Sequence, residues 1–198
     1  MAGEYGDLAA LKERLTVEAD DTSRDDGLNG VLAAASRGID RATGRRFWLD
    51  AEPTTRLYNP AGRVVCEPDG ELLLVDDIGS ESGLVVEVGR GASWTPVTGY
   101  ETSPDNAIAD GDPITGLLLV NGSWGTAAQR VRVTAQFGWP SVPEDIAEAA
   151  LIQAARLWKR RDTPEGITGN AEWGVVRLSR RDPDVWNLLE PFVLPGFA

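Results

Sequence analysis

The chain has 198 residues, 42% of them hydrophobic, which is enough to bury a sizeable core and excludes wholesale disorder. It carries 31 acidic and 19 basic side chains, a formal net charge of -12, which argues against broad binding to the phosphates of nucleic acids. There is no histidine and a single cysteine, Cys66. This composition excludes histidine-dependent catalytic triads, histidine-ligated metals, cysteine-cluster metal sites and an intrachain disulfide.

Residues 1–49 predict a helical start to the chain. A short helix over 8–15 places three leucines on one face. A longer helix over 26–43 follows, and Gly44 stands where a helix-ending glycine is expected. Small residues on its other faces allow close approach of a second helix, which predicts a contact between subunits there. The apolar positions are Leu28, Val31, Leu32, Ala35, Ile39 and Ala42, and the small ones are Ala33, Ala34, Ser36 and Gly38.

Residues 50–140 change to short β-type runs separated by proline and glycine. The last run, Arg130–Phe137, alternates apolar and polar side chains, as a half-buried strand does. The spacing predicts a small antiparallel sandwich or barrel. This segment holds 13 acidic and 5 basic side chains, most of the net negative charge. The predicted strands are Thr54–Tyr58, 64–66, 71–75, 84–88, 117–120 and Arg130–Phe137.

Residues 141–198 predict a return to helix. Pro143 and the acidic residues after it begin a helix that runs to about residue 161. An extended stretch over 173–181 and a short helix over 182–190 follow. The last residues, 191–198, are unusually apolar for a chain terminus, so we expect them to dock onto another surface.

The predicted fold class is α+β. Residues 1–49 and 141–172 form a small α-helical bundle, 50–140 an inserted antiparallel β domain (sandwich or barrel-like), and 173–198 an extended C-terminal segment. The longest apolar runs, 72–75 and 117–120, are far shorter than the roughly 20 residues that a bilayer-spanning helix needs. We therefore expect a soluble protein.

Two acidic clusters offer oxygen ligands of the kind that calcium prefers. Neither has the spacing of a calcium-binding loop, so solvated loops or helix caps are favoured and cation binding is the alternative. A pair of carboxylates for glycoside hydrolysis is a further alternative, although no spacing selects a pair. The clusters are Asp20, Asp21, Asp25 and Asp26, and Asp105, Asn106, Asp110 and Asp112.

Cys66 and the tryptophans are each consistent with two roles. Cys66 lies in an apolar β run and has no histidine to activate it, so a buried packing role is favoured over a reactive one. Trp94 and Trp124 offer a stacking platform for a sugar, and the alternative function is therefore a carbohydrate-binding β module. Packing in a core or interface is favoured, because large aromatic residues dominate both environments.

The stretch 177–181 combines three arginines with alternating apolar residues in an otherwise acidic chain. Arginine accounts for 17 of the 19 basic residues, and its guanidinium suits bidentate contacts at interfaces. A contact with a partner protein is favoured here over a solvated surface or a contact with DNA.

The order of these parts resembles the tailed-bacteriophage head–tail connector family, also called adaptor or head-completion proteins. The likeness covers both helical parts and the last strand of the β segment, about half of the chain. It is carried by LAALKERL at 8–15, LAAAS at 32–36, IDRATGRRF at 39–47, VRVTAQFGW at 131–139 and VPEDI at 142–146.

The resemblance implies a structural virion protein that is not an enzyme and needs no cofactor. Such proteins form homo-oligomeric rings, commonly dodecameric, at the head–tail junction of the virion, after assembly in the host cytoplasm. The portal protein lies above the ring and a tail, stopper or tail-terminator protein below it. DNA passes through the channel without specific binding, and no membrane is involved.

The resemblance also implies which residues make these contacts. By position, portal docking falls on 173–198, and the ring contact on the two long helices. The portal-docking candidates are Trp173, Val176, Arg177, Leu178, Arg180, Arg181, Trp186, Phe192 and Phe197. The ring-interface candidates are Ala33, Ala34, Arg37, Gly38, Arg41, Arg156 and Arg160.

Overall fold

A computed structural model describes residues 3–126, 128–161 and 182–194, together with the backbone of 167–168 and 176–177. The chain is α+β, which confirms the predicted class. It divides into two compact units, which we call the helical unit (Met1–Phe47 with Val142–Ala198) and the β unit (Trp48–Ser141). The described helices are each too short or too polar to cross a lipid bilayer.

The helical unit contains four α-helices and a closing 3-10 turn within the described residues. The helices predicted over 8–15, 26–43, 143–161 and 182–190 are confirmed to within two residues at each end. In chain order they are α1 (Leu8–Arg14), α2 (Asp25–Thr43), α4 (Glu144–Arg160), α5 (Pro183–Leu189) and the 3-10 turn Glu190–Phe192. A two-residue strand pair, β8 (Ile167–Thr168) with β9 (Val176–Arg177), lies between α4 and α5.

The core of the helical unit lies between α1, α2 and α4, where apolar side chains recur at helical spacing. Alanines on α4 allow α2 to approach closely, and Trp158 closes the cluster by packing on Gly27, where a β-carbon would stand 2.9 Å from the indole ring. Gly44 ends α2 in the left-handed conformation, at φ 71°, as predicted. The buried cluster is Leu11, Leu28, Leu32, Ala35, Ala154, Ala155 and Trp158.

The β unit is a seven-stranded antiparallel sheet with one short helix, α3 (Ala107–Asp110). Five strands lie side by side in the order β1-β7-β3-β6-β5, and β2 and β4 also pair with β3. The bounds are β1 (Thr54–Tyr58), β2 (Val64–Glu67), β3 (Gly70–Arg90), β4 (Ser93–Pro96), β5 (Tyr100–Ser103), β6 (Ile114–Val120) and β7 (Arg130–Phe137).

The 21-residue strand β3 organises this sheet. Its first half pairs with β2 and β6, and its second half with β4 and β7, with Ile78 as the residue that pairs with both β6 and β7. Side chains from both halves share one core with the buried face of β7. Two strands predicted over 71–75 and 84–88 are therefore one strand. The intervening Asp, Gly and Ser residues read as a turn locally, but long-range pairing holds them in the strand.

Candidate assembly surfaces

The last described residues, 182–194, fold back onto the chain's own helices. Asp182 caps α5 by accepting a hydrogen bond from the Asp184 amide at 2.9 Å, and it forms an ion pair with Arg156 of α4. Val185 and Leu189 are buried beneath α5. These contacts anchor α5 on the helical unit within a single copy.

Phe192 extends this anchoring to the end of α2. Its ring meets Phe47 edge to face, with centroids 5.6 Å apart, and the Leu194 amide donates to the Thr43 carbonyl at 2.9 Å. We predicted Phe192 as a docking residue for another protein, and the structure shows it packed against its own chain. The interaction was missed because Phe47 and Phe192 are far apart in sequence and neither lies in a periodic pattern.

The remaining portal-docking candidates are placed as follows. Trp186 is half-buried on α5. The strand β9 includes the backbone of Val176 and Arg177. Trp173, Leu178, Arg180, Arg181 and Phe197 lie outside the described residues.

A groove of about 160 Å³ opens between α2, α4 and α5. Gly38 and Ala42 of α2 form one wall, Gln153 of α4 lies in it, and Trp186 of α5 forms the other wall. The space around Gly38 is open, because a β-carbon there would meet no atom within 4 Å. The groove thus has room for an inserted side chain.

Basic side chains border this part of α2. Arg37 and Arg41 are exposed, as is Arg160 at the end of α4, whereas Ala33 and Ala34 are half-buried. Arg156, also a ring-interface candidate, is engaged within the chain by Asp182. The structure therefore brings Arg37, Gly38 and Arg41 together on one accessible helix surface.

A buried polar network fixes the start of the chain to α2. The Tyr5 hydroxyl donates to Asp40 Oδ1 at 2.5 Å and accepts from the Phe47 amide at 2.9 Å, while the Tyr5 amide donates to Ser36 Oγ at 3.1 Å. Burial raises the pKa of Tyr5 above its ordinary value, and the bond to Asp40 raises that pKa further. Burial also raises the pKa of Asp40, against the opposing effect of the tyrosine hydrogen bond.

The two tryptophans proposed as a sugar platform lie in different environments. Trp124 is fully buried, and its indole nitrogen donates to the carbonyls of Glu71 at 2.8 Å and Leu117 at 3.1 Å. Trp94 is partly exposed, but the Arg132 guanidinium lies 4.4 Å from the centre of its ring. The alternative of a sugar platform is therefore excluded, because one ring belongs to the core and a cation stacks on the other. The favoured packing role is confirmed for Trp124.

Cys66 is exposed, so its predicted burial is wrong. It lies on β2, which pairs with β3 as a hairpin, and Val65, Cys66 and Glu67 are all exposed there. Three further exposed apolar side chains were not singled out from the sequence: Leu57, Val65 and Val85, at 62%, 44% and 46% exposure. Leu57 was missed because its exposure depends on the register of β1, which pairs it with Arg132 on the sheet face opposite the core.

The acidic clusters do not form a cation site in the described part of the chain, where no three histidine, cysteine or carboxylate side chains converge. Asp21 instead caps the turn at Ser23, and these hydrogen bonds lower its pKa. Asp25 forms an ion pair of 2.6 Å with the buried Lys12. Hydrogen bonds within a turn account for Asp21, and an ion pair accounts for Asp25.

Comparison with known proteins gives a result at the level of fold. No protein-family model matches the chain, and no curated protein matches it. A chain from the neck of an empty gene transfer agent (GTA) particle, computed with C6 symmetry, matches with a TM-score of 0.58 and 17% identity, covering 96% of this chain and 90% of that one. The chain shares its fold with a particle-neck chain. A chain from the virion of the native particle matches at a TM-score of 0.52 and 18% identity, with the same coverage.

Proposed function

We propose that the chain is a structural neck protein of a phage-like particle, with no catalytic activity and no cofactor. It forms a ring between the portal and the tail and extends the channel through which DNA passes. The observation that carries the proposal is the shared fold with a particle-neck chain over 96% of this chain. The order of helical and β segments, which resembles the head–tail connector family, supports it independently.

The ring contact falls on the exposed surface of α2 around the groove. Gly38 leaves an opening, and Arg37 and Arg41 stand beside it as donors for a neighbour's carboxylates. A cyclic ring joins two different patches of identical subunits, so a recess and its basic rim on one copy meet a different surface of the next. Twelve copies agree with the sixfold symmetry used for the neck of the empty particle.

The net charge of -12 suits a DNA conduit. Like charge weakens contacts with phosphates, so a channel of acidic subunits lets DNA slide without being held. The negative charge thus favours the passage of DNA over recognition of the DNA sequence.

Portal docking is assigned to the segment 173–198. In this proposal α5 fixes the end of that segment to its own subunit, through the Asp182–Arg156 ion pair and the Phe192–Phe47 contact. Because α5 is already held on its own subunit, less of the segment has to become ordered when it binds the portal, which reduces the entropy cost of binding.

The experiment compares ring formation by three full-length proteins using electron microscopy and native mass spectrometry. The natural chain and Arg24→Glu, a control at the exposed start of α2, should form closed rings that bind the portal of the same particle. Arg37→Glu/Arg41→Glu should remain monomeric with an unchanged melting temperature. A natural chain that neither closes a ring nor joins a portal contradicts the proposal.

A further inference from the structure

A cleft of about 520 Å³ opens in the β unit between β3 and the chain that leads from β4 into β5. We call it the β3–β5 cleft. One wall consists of residues 81 and 84–86, and the other of residues 96–100 and 102. Sites that take small ligands or single side chains typically have volumes of about 300–1,000 Å³. The cleft is therefore large enough to hold a side chain of another molecule.

Interrupted strand pairing forms the cleft. The register of β3 with β7 shifts between Ser80 and Val85, so the residues between them lie outside that ladder. On the other wall, the Val97 amide donates to the Val86 carbonyl at 2.9 Å, and the chain then turns at Gly99, with φ 83°. A β-carbon on Gly99 would meet no atom within 4 Å, so this wall faces open space.

The walls combine apolar side chains with one carboxylate. Val85, which is 46% exposed, lies on the same wall as Glu81, which is exposed too. The Thr102 hydroxyl donates to Glu81 Oε1 at 3.3 Å across the cleft. Burial raises the pKa of Tyr100, and the negative charge of Glu81 raises it further, in agreement with a carboxylate close to the phenol. The apolar lining residues are Leu84, Val85, Val86, Pro96 and Val97.

The carboxylate of the cleft has no cation beside it. Among the described residues that line the cleft, none is basic. Within residues 64–102 the single basic residue is Arg90, and its guanidinium donates to the Ala128 carbonyl at 2.9 Å. The whole chain has 31 acidic and 19 basic side chains, so a second copy brings more negative than positive charge. Charge complementarity therefore favours a different, basic protein as the source of a cation.

Arginine and lysine fit this combination of surfaces. Both side chains pack an aliphatic stem on apolar surface and keep the charged group at its border, where a carboxylate accepts charge-assisted hydrogen bonds. In the β3–β5 cleft the valines offer the apolar surface, and Glu81 offers the carboxylate. Among the described strands β5 pairs with β6 alone, so the main chain along its other edge is available to an extended segment.

We propose that the β3–β5 cleft binds an arginine or lysine side chain on an extended segment of a basic partner protein. The stem packs on Val85 and Val97, and the charged group donates to Glu81. This inference goes beyond the neck role and gives the β unit a contact surface of its own. It does not depend on the ring contact at α2.

Ligand-observed NMR tests the binding on the full-length chain, whether the chain is a monomer or a ring. The probe is the peptide acetyl-Val-Arg-Val-amide, followed by saturation-transfer difference signals at millimolar concentrations. The signals should saturate as the peptide concentration rises. The same peptide with citrulline in place of arginine has nearly the same shape and no charge, and it should bind about three- to tenfold more weakly.

Two matched variants locate the site. Glu81→Gln should weaken binding of the arginine peptide about three- to tenfold and abolish the preference over citrulline. Glu101→Gln makes the same change at an exposed carboxylate of β5 that does not line the cleft, and it should leave the affinity within about twofold. Equal losses in the two variants would show that net charge alone attracts the peptide, which overturns the proposal.

Three other results overturn the proposal. Without saturable signals the cleft does not bind this chemistry, and equal binding of the two peptides contradicts the assignment of a cation. If Glu81→Gln abolishes oligomers in native mass spectrometry while Glu101→Gln does not, the occupant is a second copy and the partner assignment is wrong. The peptide results do not bear on the neck proposal, which is judged by whether the natural chain forms rings.

Discussion

The Tyr5 hydroxyl and the Asp40 carboxylate form a hydrogen bond of 2.5 Å that links the first residues of the chain to the C-terminal half of α2. The same hydroxyl accepts from the Phe47 amide, at the end of the first of the two chain segments that form the helical unit. One side chain therefore joins three segments of the helical unit. Its removal leaves a buried N–H and a half-buried carboxylate without this partner, which costs more than a typical hydrogen bond contributes.

We expect Tyr5→Phe to lower the free energy of unfolding by about 1–3 kcal/mol. Chemical denaturation measures the loss, and Tyr100→Phe, at a partly exposed tyrosine of the β unit, is the control. Equal losses in both variants would contradict a special role for the Tyr5 hydroxyl.

Tyr5→Phe should also change the pKa of Asp40. Burial raises the pKa of Asp40 above its ordinary value of 3.8, and the Tyr5 hydrogen bond opposes this rise. Because the pKa is higher in the folded protein, the contribution of Asp40 to stability is greatest below 3.8 and is lost as the pH rises through the folded value. Tyr5→Phe should raise the pKa of Asp40 further, as seen by carboxyl carbon NMR. A fall in that pKa would contradict the assignment.

Asp182 should be required for the docking of α5. Asp182→Asn removes the charge that pairs with Arg156, and the largely buried guanidinium then lacks its carboxylate, at a cost of about 2–4 kcal/mol. Hydrogen exchange should accelerate across Pro183–Leu189 more than elsewhere. Asp184→Asn, an exposed change in the first turn of α5, should have little effect, and similar exchange in the two variants would argue against the anchor.

The two tryptophans of the β unit should respond differently to substitution. Trp124→Phe loses packing volume and both indole hydrogen bonds, and we expect a loss of about 2–4 kcal/mol in unfolding free energy. Trp94→Phe, at a partly exposed ring, should cost less than about 1 kcal/mol. Thermal or urea unfolding of both variants provides the comparison. A larger loss of unfolding free energy for Trp94→Phe than for Trp124→Phe would contradict the place of Trp124 in the core of the β unit.

Substitutions at Gly38 should affect the stability of the fold and the formation of the ring independently. Gly38→Ala replaces a glycine inside α2 where there is open space, so the free energy of unfolding should rise by about 0.5–1 kcal/mol. Gly38→Leu should also fold but fill the groove and prevent ring formation, as measured by native mass spectrometry. Gly30→Leu, at the other open glycine of α2, is the matched control. Rings from Gly38→Leu would exclude this groove from the contact.

The sequence predicts elements well where a local period repeats. The apolar spacing of α2 and the alternation of β7 are visible within single segments, and both elements form as predicted. Burial that depends on distant pairing is not visible in this way. Trp124 lies in a Gly-Ser-Trp-Gly stretch that reads as a loop, and its burial depends on hydrogen bonds to Glu71, 53 residues earlier.

The surfaces were harder to predict than the elements. Cys66 lies in an apolar run, but its strand is part of a hairpin that leaves it exposed. A local apolar run predicts burial, whereas the pairing of its strand decides whether the side chains are covered.

The central claim is that this chain forms a ring in the neck of a particle. Its most direct measurement is electron microscopy of particles from cells that produce the chain with an epitope inserted at the exposed β3–β4 turn, at Gly91. Antibody fragments should decorate a single ring between head and tail, with twelve copies per particle. Labelled particles with no density at the neck, or particles that lack the chain altogether, would contradict the claim.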